Sequence, residues 1–197
     1  MSKQLSLFET PQPRPARYSL FLAIFPDHHT VQQIIDLGNT LRQTHGMRGK
    51  LRPANHLHVS LLFLGSASDV PEILVETVGH ACRAVAAVTR PFEIKFYRVL
   101  SFRGRPENHP LVLVDNNHEN DEVRNLNGLL KTEFSKFFSF PPSPPKFAPH
   151  LTLLYDKQEL APTPIEPVSW MVQEVVFVGS EVGATKYHRL GRWAFGD

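Results

Sequence analysis

Cysteine is nearly absent. Cys82 is the single one in 197 residues, so an intrachain disulfide and a thiolate zinc site are both excluded. It lies in the helical pattern His80-Ala-Cys-Arg-Ala-Val-Ala-Ala-Val88, where a buried structural thiol is expected. Net charge is also small: 21 basic against 19 acidic side chains leave +2. That balance lacks the dense basic surface of a protein that lies along a duplex, and suits a short anionic ligand or an RNA end. No apolar run approaches the roughly 20 residues needed to span a bilayer. Leu20 to Phe25 is short, stops at Pro26-Asp27 and lacks a small-residue cleavage site, so no secretory leader is expected and the cytoplasm is the expected location.

What the chain does have is 42% hydrophobic content, enough to bury a core as one domain or as two small lobes sharing a cleft. Met1 to Ala16, with Pro11, Pro13 and Pro15, is expected to be a mobile tail, and the folded unit is taken as 17–197. Strands are predicted at Tyr18 to Phe25, Phe92 to Phe102, Pro110 to Asp115, Met171 to Val178 and Tyr187 to Phe195. Helices are predicted from Thr30 to Thr44, from Asp69 or Pro71 to Val88 with Ile73 inward, and from Asp121 to Phe138 with Leu129 and Phe137 inward. Asp27 or Thr30 caps the first helix and Gly46 ends it. The prolines between Tyr155 and Pro167 read as an irregular connection, and Pro141 to Pro145 as an extended one.

Two further strand-like stretches carry the chemistry. His58-Val59-Ser60-Leu61-Leu62-Phe63 and His150-Leu151-Thr152-Leu153-Leu154-Tyr155 each set an imidazole and a hydroxyl two residues apart. Side chains alternate along a strand, so His58 and Ser60 share one face, as do His150 and Thr152, while Val59, Leu61 and Phe63 take the other. Composition alone accounts for about one His-x-Ser/Thr pattern, and three occur. The third, His28-His29-Thr30, opens a helix and reads as a cap. Each of the other two follows a strand and a helical pattern, so strand, helix and His-bearing strand occur twice with little residue identity. The result is an α+β fold of two pseudo-symmetric lobes of antiparallel sheet plus helices, with one acid/base site in a central cleft.

These motifs resemble those of the 2H phosphoesterases, in particular the bacterial RNA 2′,3′-cyclic phosphodiesterases, also called the 2′-5′ RNA ligase or LigT/ThpR family. The resemblance runs through Tyr18-Ser-Leu-Phe-Leu-Ala-Ile-Phe-Pro, Asn55-His-Leu-His-Val-Ser-Leu-Leu-Phe-Leu-Gly65, Phe147-Ala-Pro-His-Leu-Thr-Leu-Leu-Tyr155 and Thr185-Lys-Tyr-His-Arg-Leu-Gly-Arg-Trp193. It implies a LigT-like fold and metal-independent opening of an RNA 2′,3′-cyclic phosphate end to a 2′-phosphomonoester, without a cofactor. It also implies that His150 is the base, His58 the acid, and Ser60 and Thr152 the phosphate-binding hydroxyls. Two alternatives stand beside hydrolysis: an RNA-end binding protein with little turnover, and 2′-5′ ligation at the same site. Many relatives carry an arginine five residues after the second histidine, where this chain has Tyr155. Lys50, Arg52, Arg103 and Lys146 are therefore candidate replacements.

Other residues carry weaker signals. Tyr18 and Phe147 are candidate stacking platforms for a terminal base, against a competing reading of both as core. The loop Arg48 to Pro53 is either a solvated connection or a phosphate-facing one. His56 and His58 make a His-x-His pair, but no third and fourth zinc ligand follows at a recognisable spacing, so His56 is read as solvating a strand entrance. In the tail, Gln4-Leu5-Ser6-Leu7-Phe8 resembles a bacterial sliding-clamp-binding pentapeptide, which makes Gln4, Leu5, Leu7 and Phe8 candidate clamp contacts. A monomer is expected.

Overall fold

The structure is a computed structural model and describes residues 17–116, 119–139, 147–184 and 186–196. The proposed clamp-binding residues Gln4, Leu5, Leu7 and Phe8 and the candidate Lys146 lie outside the described residues. The strands are β1 (Tyr18–Ile24), β2 (Val59–Ala67), β3 (Phe92–Ser101), β4 (His109–Val114), β5 (His150–Asp156), β6 (Thr163–Val172), β7 (Glu174–Glu181) and β8 (Tyr187–Ala194). The helices are α1 (His28–His45), α2 (Glu72–Ala86) and α3 (Asp121–Phe134).

All eight strands form one antiparallel sheet in the order β6-β3-β4-β5-β2-β1-β7-β8. Between β5 and β2 it divides into two four-stranded halves, and β1-α1-β2 in one matches β4-α3-β5 in the other. Leu20, Leu22 and Ile24 of β1 enter the main core with the helices. Phe21 and Ala23 join Val176 and Val178 in a second cluster, on the opposite face by the alternation of strand side chains.

Helices reach across the division. α1 packs on β5 and β6, and α3 on β2 as well as β3, while α2 lies against α3, β7 and β8. Asp27 caps α1 by accepting the Thr30 N–H at 2.8 Å, and Gly46 ends it at φ 66°, a left-handed conformation that glycine adopts without penalty. Cys82 is fully buried, and burial pushes its thiol up to about 12.

Several sequence expectations change. The connection after Tyr155 contains a strand, β6, despite Pro164 and Pro167. It lies at the sheet edge, and its ladder with β3 is irregular between Phe96 and Arg98, where Pro167 falls; edges and bulges are where strands tolerate proline. Met171 belongs to this strand, and β7 begins at Glu174. Ile73, Leu129 and Phe137 face solvent rather than the core; the helical packing surfaces are narrower than the apolar pattern implied.

Phe63 is also displaced, to 60% exposure, because β2 carries a β-bulge. Leu22 pairs with Leu62 and Ala23 with Ser60, so Leu61 is the extra residue. Leu61 and Leu62 both enter the main core, and the alternation is reset one position early. β5 repeats the device at the same place: Leu111 pairs with Leu154 and Val112 with Thr152, leaving Leu153 extra. The side-chain amide of Asn127 on α3 donates to the Leu61 carbonyl at 2.6 Å, satisfying a buried acceptor at the first bulge.

No helix among the described residues is long and apolar enough to cross a membrane.

Candidate active site

The halves of the sheet meet through one register pair, Val59 with Leu151. Carried one residue either way, an antiparallel register sets His58 opposite Thr152 and Ser60 opposite His150. Both imidazoles and both hydroxyls then share the face opposite Val59 and Leu151. The two histidines are diagonal neighbours, a relation that separates Cα atoms by roughly 7–8 Å. That spacing leaves room for a tetrahedral group between the rings. All four side chains line a cleft of about 260 Å³, together with Phe21, Arg52, His56, Tyr155 and Tyr187.

Each histidine is tethered in the same way. The His58 Nδ1–H donates to the His56 carbonyl at 2.7 Å, and the His150 Nδ1–H donates to the Ala148 carbonyl at 2.8 Å. A carbonyl only accepts, so Nδ1 carries the proton and Nε2 is left for chemistry. The Ser60 hydroxyl donates to His58 Nε2 at 3.0 Å. Around His58 stand Phe21, Phe25 and Tyr187, with ring centroids 5.2, 5.7 and 5.6 Å away. Loss of solvent in this aromatic setting, reinforced by Arg52, His56 and His150, pushes the His58 imidazole down to about 4 against the carbonyl bond that favours its charged form. His58 is therefore neutral at pH 7.

The loop before His58 is stitched to β5. Arg48 and Gly49 donate backbone N–H groups to the Asp156 carboxylate at 2.7 and 2.5 Å, Leu51 bridges Leu154, and the Arg52 N–H donates to the Leu153 carbonyl at 2.7 Å. Gly49 is required there, since a Cβ would collide with the Tyr155 carbonyl. This docking carries Arg52 into the cleft beside Tyr155. Its guanidinium donates to His56 Nδ1 at 3.1 Å and to the Tyr187 hydroxyl at 3.4 Å. Among the described residues no carboxylate lines the cleft, so the positive charge of Arg52 rests on neutral acceptors.

Of the residues singled out from sequence, His58, Ser60, His150, Thr152, Arg52 and Tyr155 converge. Tyr18, Lys50, Arg103 and Phe147 do not line the cleft. Tyr18 packs at the far end of β1 beside His188, centroids 5.9 Å apart, Phe147 packs on the main core, and Lys50 and Arg103 point to solvent. His56 does not solvate a strand entrance: it is 2% exposed and stacked on Tyr187 at 3.8 Å and 9°. Burial first, and Arg52 second, hold its imidazole below the ordinary histidine range. Among the described residues no three His, Cys, Asp or Glu side chains gather as a metal-ligand set. Tyr187 and Phe21 were missed. Both lie in stretches that carry the family resemblance but no imidazole-hydroxyl pattern of their own, and their place in the cleft depends on β8 and β1 lying beside His58.

A duplicated α+β sheet with a histidine pair at its seam defines a LigT-like fold. Residues 26–184 match the 2′-5′ RNA ligase superfamily, and the chain belongs to that superfamily. Similar solved structures include TT0787 of Thermus thermophilus, at 21% identity and TM-score 0.71 over 90% of this chain and 97% of that one. Apo LigT of E. coli matches at 24% identity and TM-score 0.70 over 92% and 99%. Usb1 of Kluyveromyces marxianus is more distant, at 15% identity and TM-score 0.51 over 90% and 97%. LigT has also been solved with 3′-AMP. No functionally curated protein matches the sequence significantly.

Proposed function

We propose that this protein opens 2′,3′-cyclic phosphate ends of RNA to 2′-phosphomonoesters, using His150 as general base and His58 as general acid. The observation that carries the reading is the pair of identically tethered imidazoles at the seam, each with Nε2 free of a backbone partner. His150 Nε2 takes a proton from water as the water oxygen attacks phosphorus. The bond from phosphorus to the ribose 3′ oxygen breaks, and His58 Nε2–H gives its proton to that oxygen. The Ser60 and Thr152 hydroxyls donate to the non-bridging oxygens as their charge grows, and Arg52 offsets the phosphate charge. A ribose 5′-hydroxyl in place of water would yield a 2′-5′ linkage by the same steps, which relates hydrolysis to ligation.

With its pKa lowered to about 4, His58 must gain a proton to act as acid. A phosphate anion at about 4 Å interacts with an imidazolium by roughly 4 kcal/mol at an effective dielectric near 20. That equals about three pKa units, enough to bring His58 from about 4 to near neutrality. The substrate itself thus supports the acid's protonation.

His58→Ala and His150→Ala are each expected to lower kcat on a cyclic-phosphate oligonucleotide by about 10²- to 10⁴-fold, with unchanged circular dichroism and excess chelator throughout. Turnover close to wild type in either variant would overturn the mechanism, and loss of wild-type turnover on chelation would assign the chemistry to a metal. Binding of the oligonucleotide without any turnover by the wild type would make the protein an RNA-end binder.

A further inference from the structure

The strand β8 carries four basic side chains or neighbours whose charges can be traced. Arg192 is held by two oxygens of Glu174, with bonds of 2.7 to 3.2 Å. His188 and Lys186 both reach Glu181, at 2.7 and 3.5 Å. Arg189 differs: its guanidinium lies over the Phe25 ring, 4.6 Å from the centroid, and it is exposed. It pairs across the ladder with Val178, a member of the cluster on the cleft face, so Arg189 stands on that face too. Phe25 in turn lies 5.7 Å from His58, which puts the guanidinium within about 10 Å of the imidazole.

The direction of the reaction gives this position meaning. In-line displacement places attacking water and leaving oxygen on opposite sides of phosphorus. The acid faces the leaving ribose oxygen, so the ribose and everything joined to it extend on the side of His58. There the cleft face offers Phe21, Phe25 and Tyr187 and then a cation with no carboxylate partner among the described residues. His150 has Phe102 as its neighbouring ring, at 5.1 Å. Aromatic faces beside cations are how single strands are held without regard to sequence.

Resting on the hydrolytic reading above, we propose that Arg189, seated on Phe25, binds the phosphate joining the cyclic-phosphate nucleotide to its 5′ neighbour. The two contacts, 4.6 Å from Arg189 to the Phe25 ring and 5.7 Å from that ring to His58, bound the separation from above, and the step between consecutive phosphates of one strand falls inside that bound. The preferred substrate is then an RNA strand of at least two nucleotides, which runs from His58 out over β1 and β8, rather than a free cyclic mononucleotide.

The test compares wild type, Arg189→Ala and Arg189→Lys on a tetranucleotide ending in a 2′,3′-cyclic phosphate and on the 2′,3′-cyclic mononucleotide with the same base. Arg189→Ala is expected to lower kcat/KM on the tetranucleotide about tenfold more than on the mononucleotide, mainly through KM, with partial rescue by lysine. The slope of log(kcat/KM) against log salt on the tetranucleotide should shrink by about 0.7, the loss of one single-strand phosphate contact. Equal losses on both substrates, or none on either, would overturn the subsite. If wild type turns over neither substrate, the hydrolytic reading fails instead. Fluorescence anisotropy of the same tetranucleotide then decides: weaker binding to Arg189→Ala supports the subsite, and equal binding rejects it.

Discussion

His58 and His150 share a tether and differ in surroundings. Three rings enclose His58, and desolvation lowers its pKa to about 4. A group depressed in this way binds no proton in the folded state between about 4 and 6.5, where the unfolded chain does. Stability therefore falls as pH drops through that window and levels off below it. Proton-nitrogen correlation spectra across a pH series should show His58 titrating well below 6.5 in the free protein, and shifting upward when inorganic phosphate or a nucleoside 2′-phosphate is bound. A free-protein midpoint at or above 6.5 would remove the desolvation argument. The urea midpoint of wild type should also decline more between about pH 7 and pH 5 than that of His58→Gln. At this same scale, Arg52 is the one arginine or lysine among the described residues that lines the cleft with Tyr155, and it comes from the loop docked on β5 rather than from β5 itself.

The elements that matter most are the paired bulges. Without an extra residue at Leu61 and Leu153, positions five after each histidine would point into the main core. With it, Tyr155 lines the cleft and Phe63 is exposed at the equivalent place. At the first bulge the amide of Asn127, a residue 4% exposed, donates to the Leu61 carbonyl. Asn127→Leu leaves that carbonyl unsatisfied, at a cost of about 1–3 kcal/mol, and releases the strand that carries Ser60. Its chemical denaturation midpoint should fall accordingly, and kcat should drop although residue 127 does not line the cleft. Unchanged stability and kcat together would show that the bulge is maintained by β2 alone. The edge position of β6 works the other way: it tolerates Pro164 and Pro167, which hid the strand from a reading of local sequence.

Across the whole molecule, the halves share one core and each supports the other's helices, since α1 lies on β5 and β6 and α3 on β2. Unfolding is expected to be a single transition even though the sheet is joined at its centre by one register pair. Trp170 lies in β6 and Trp193 in β8, one in each half. Trp170→Phe and Trp193→Phe proteins, followed by fluorescence and circular dichroism, should each give coincident transitions by the two probes. Probes that separate within one variant would indicate halves that unfold independently. The chain's own pattern determined the α+β class, the strand-helix-strand repeat, the Asp27 and Gly46 caps, the buried Cys82 and the pairing of His58-x-Ser60 with His150-x-Thr152. Those features depend on residues close in sequence, where alternation, helical period and capping act directly. Tertiary structure alone decided that the two motifs meet in antiparallel register, that bulges turn Phe63 and Tyr155 outward, and that Arg52, His56, Phe21 and Tyr187 close around His58. Each of these requires strands far apart in the chain to lie side by side, and that juxtaposition leaves no local mark in the sequence.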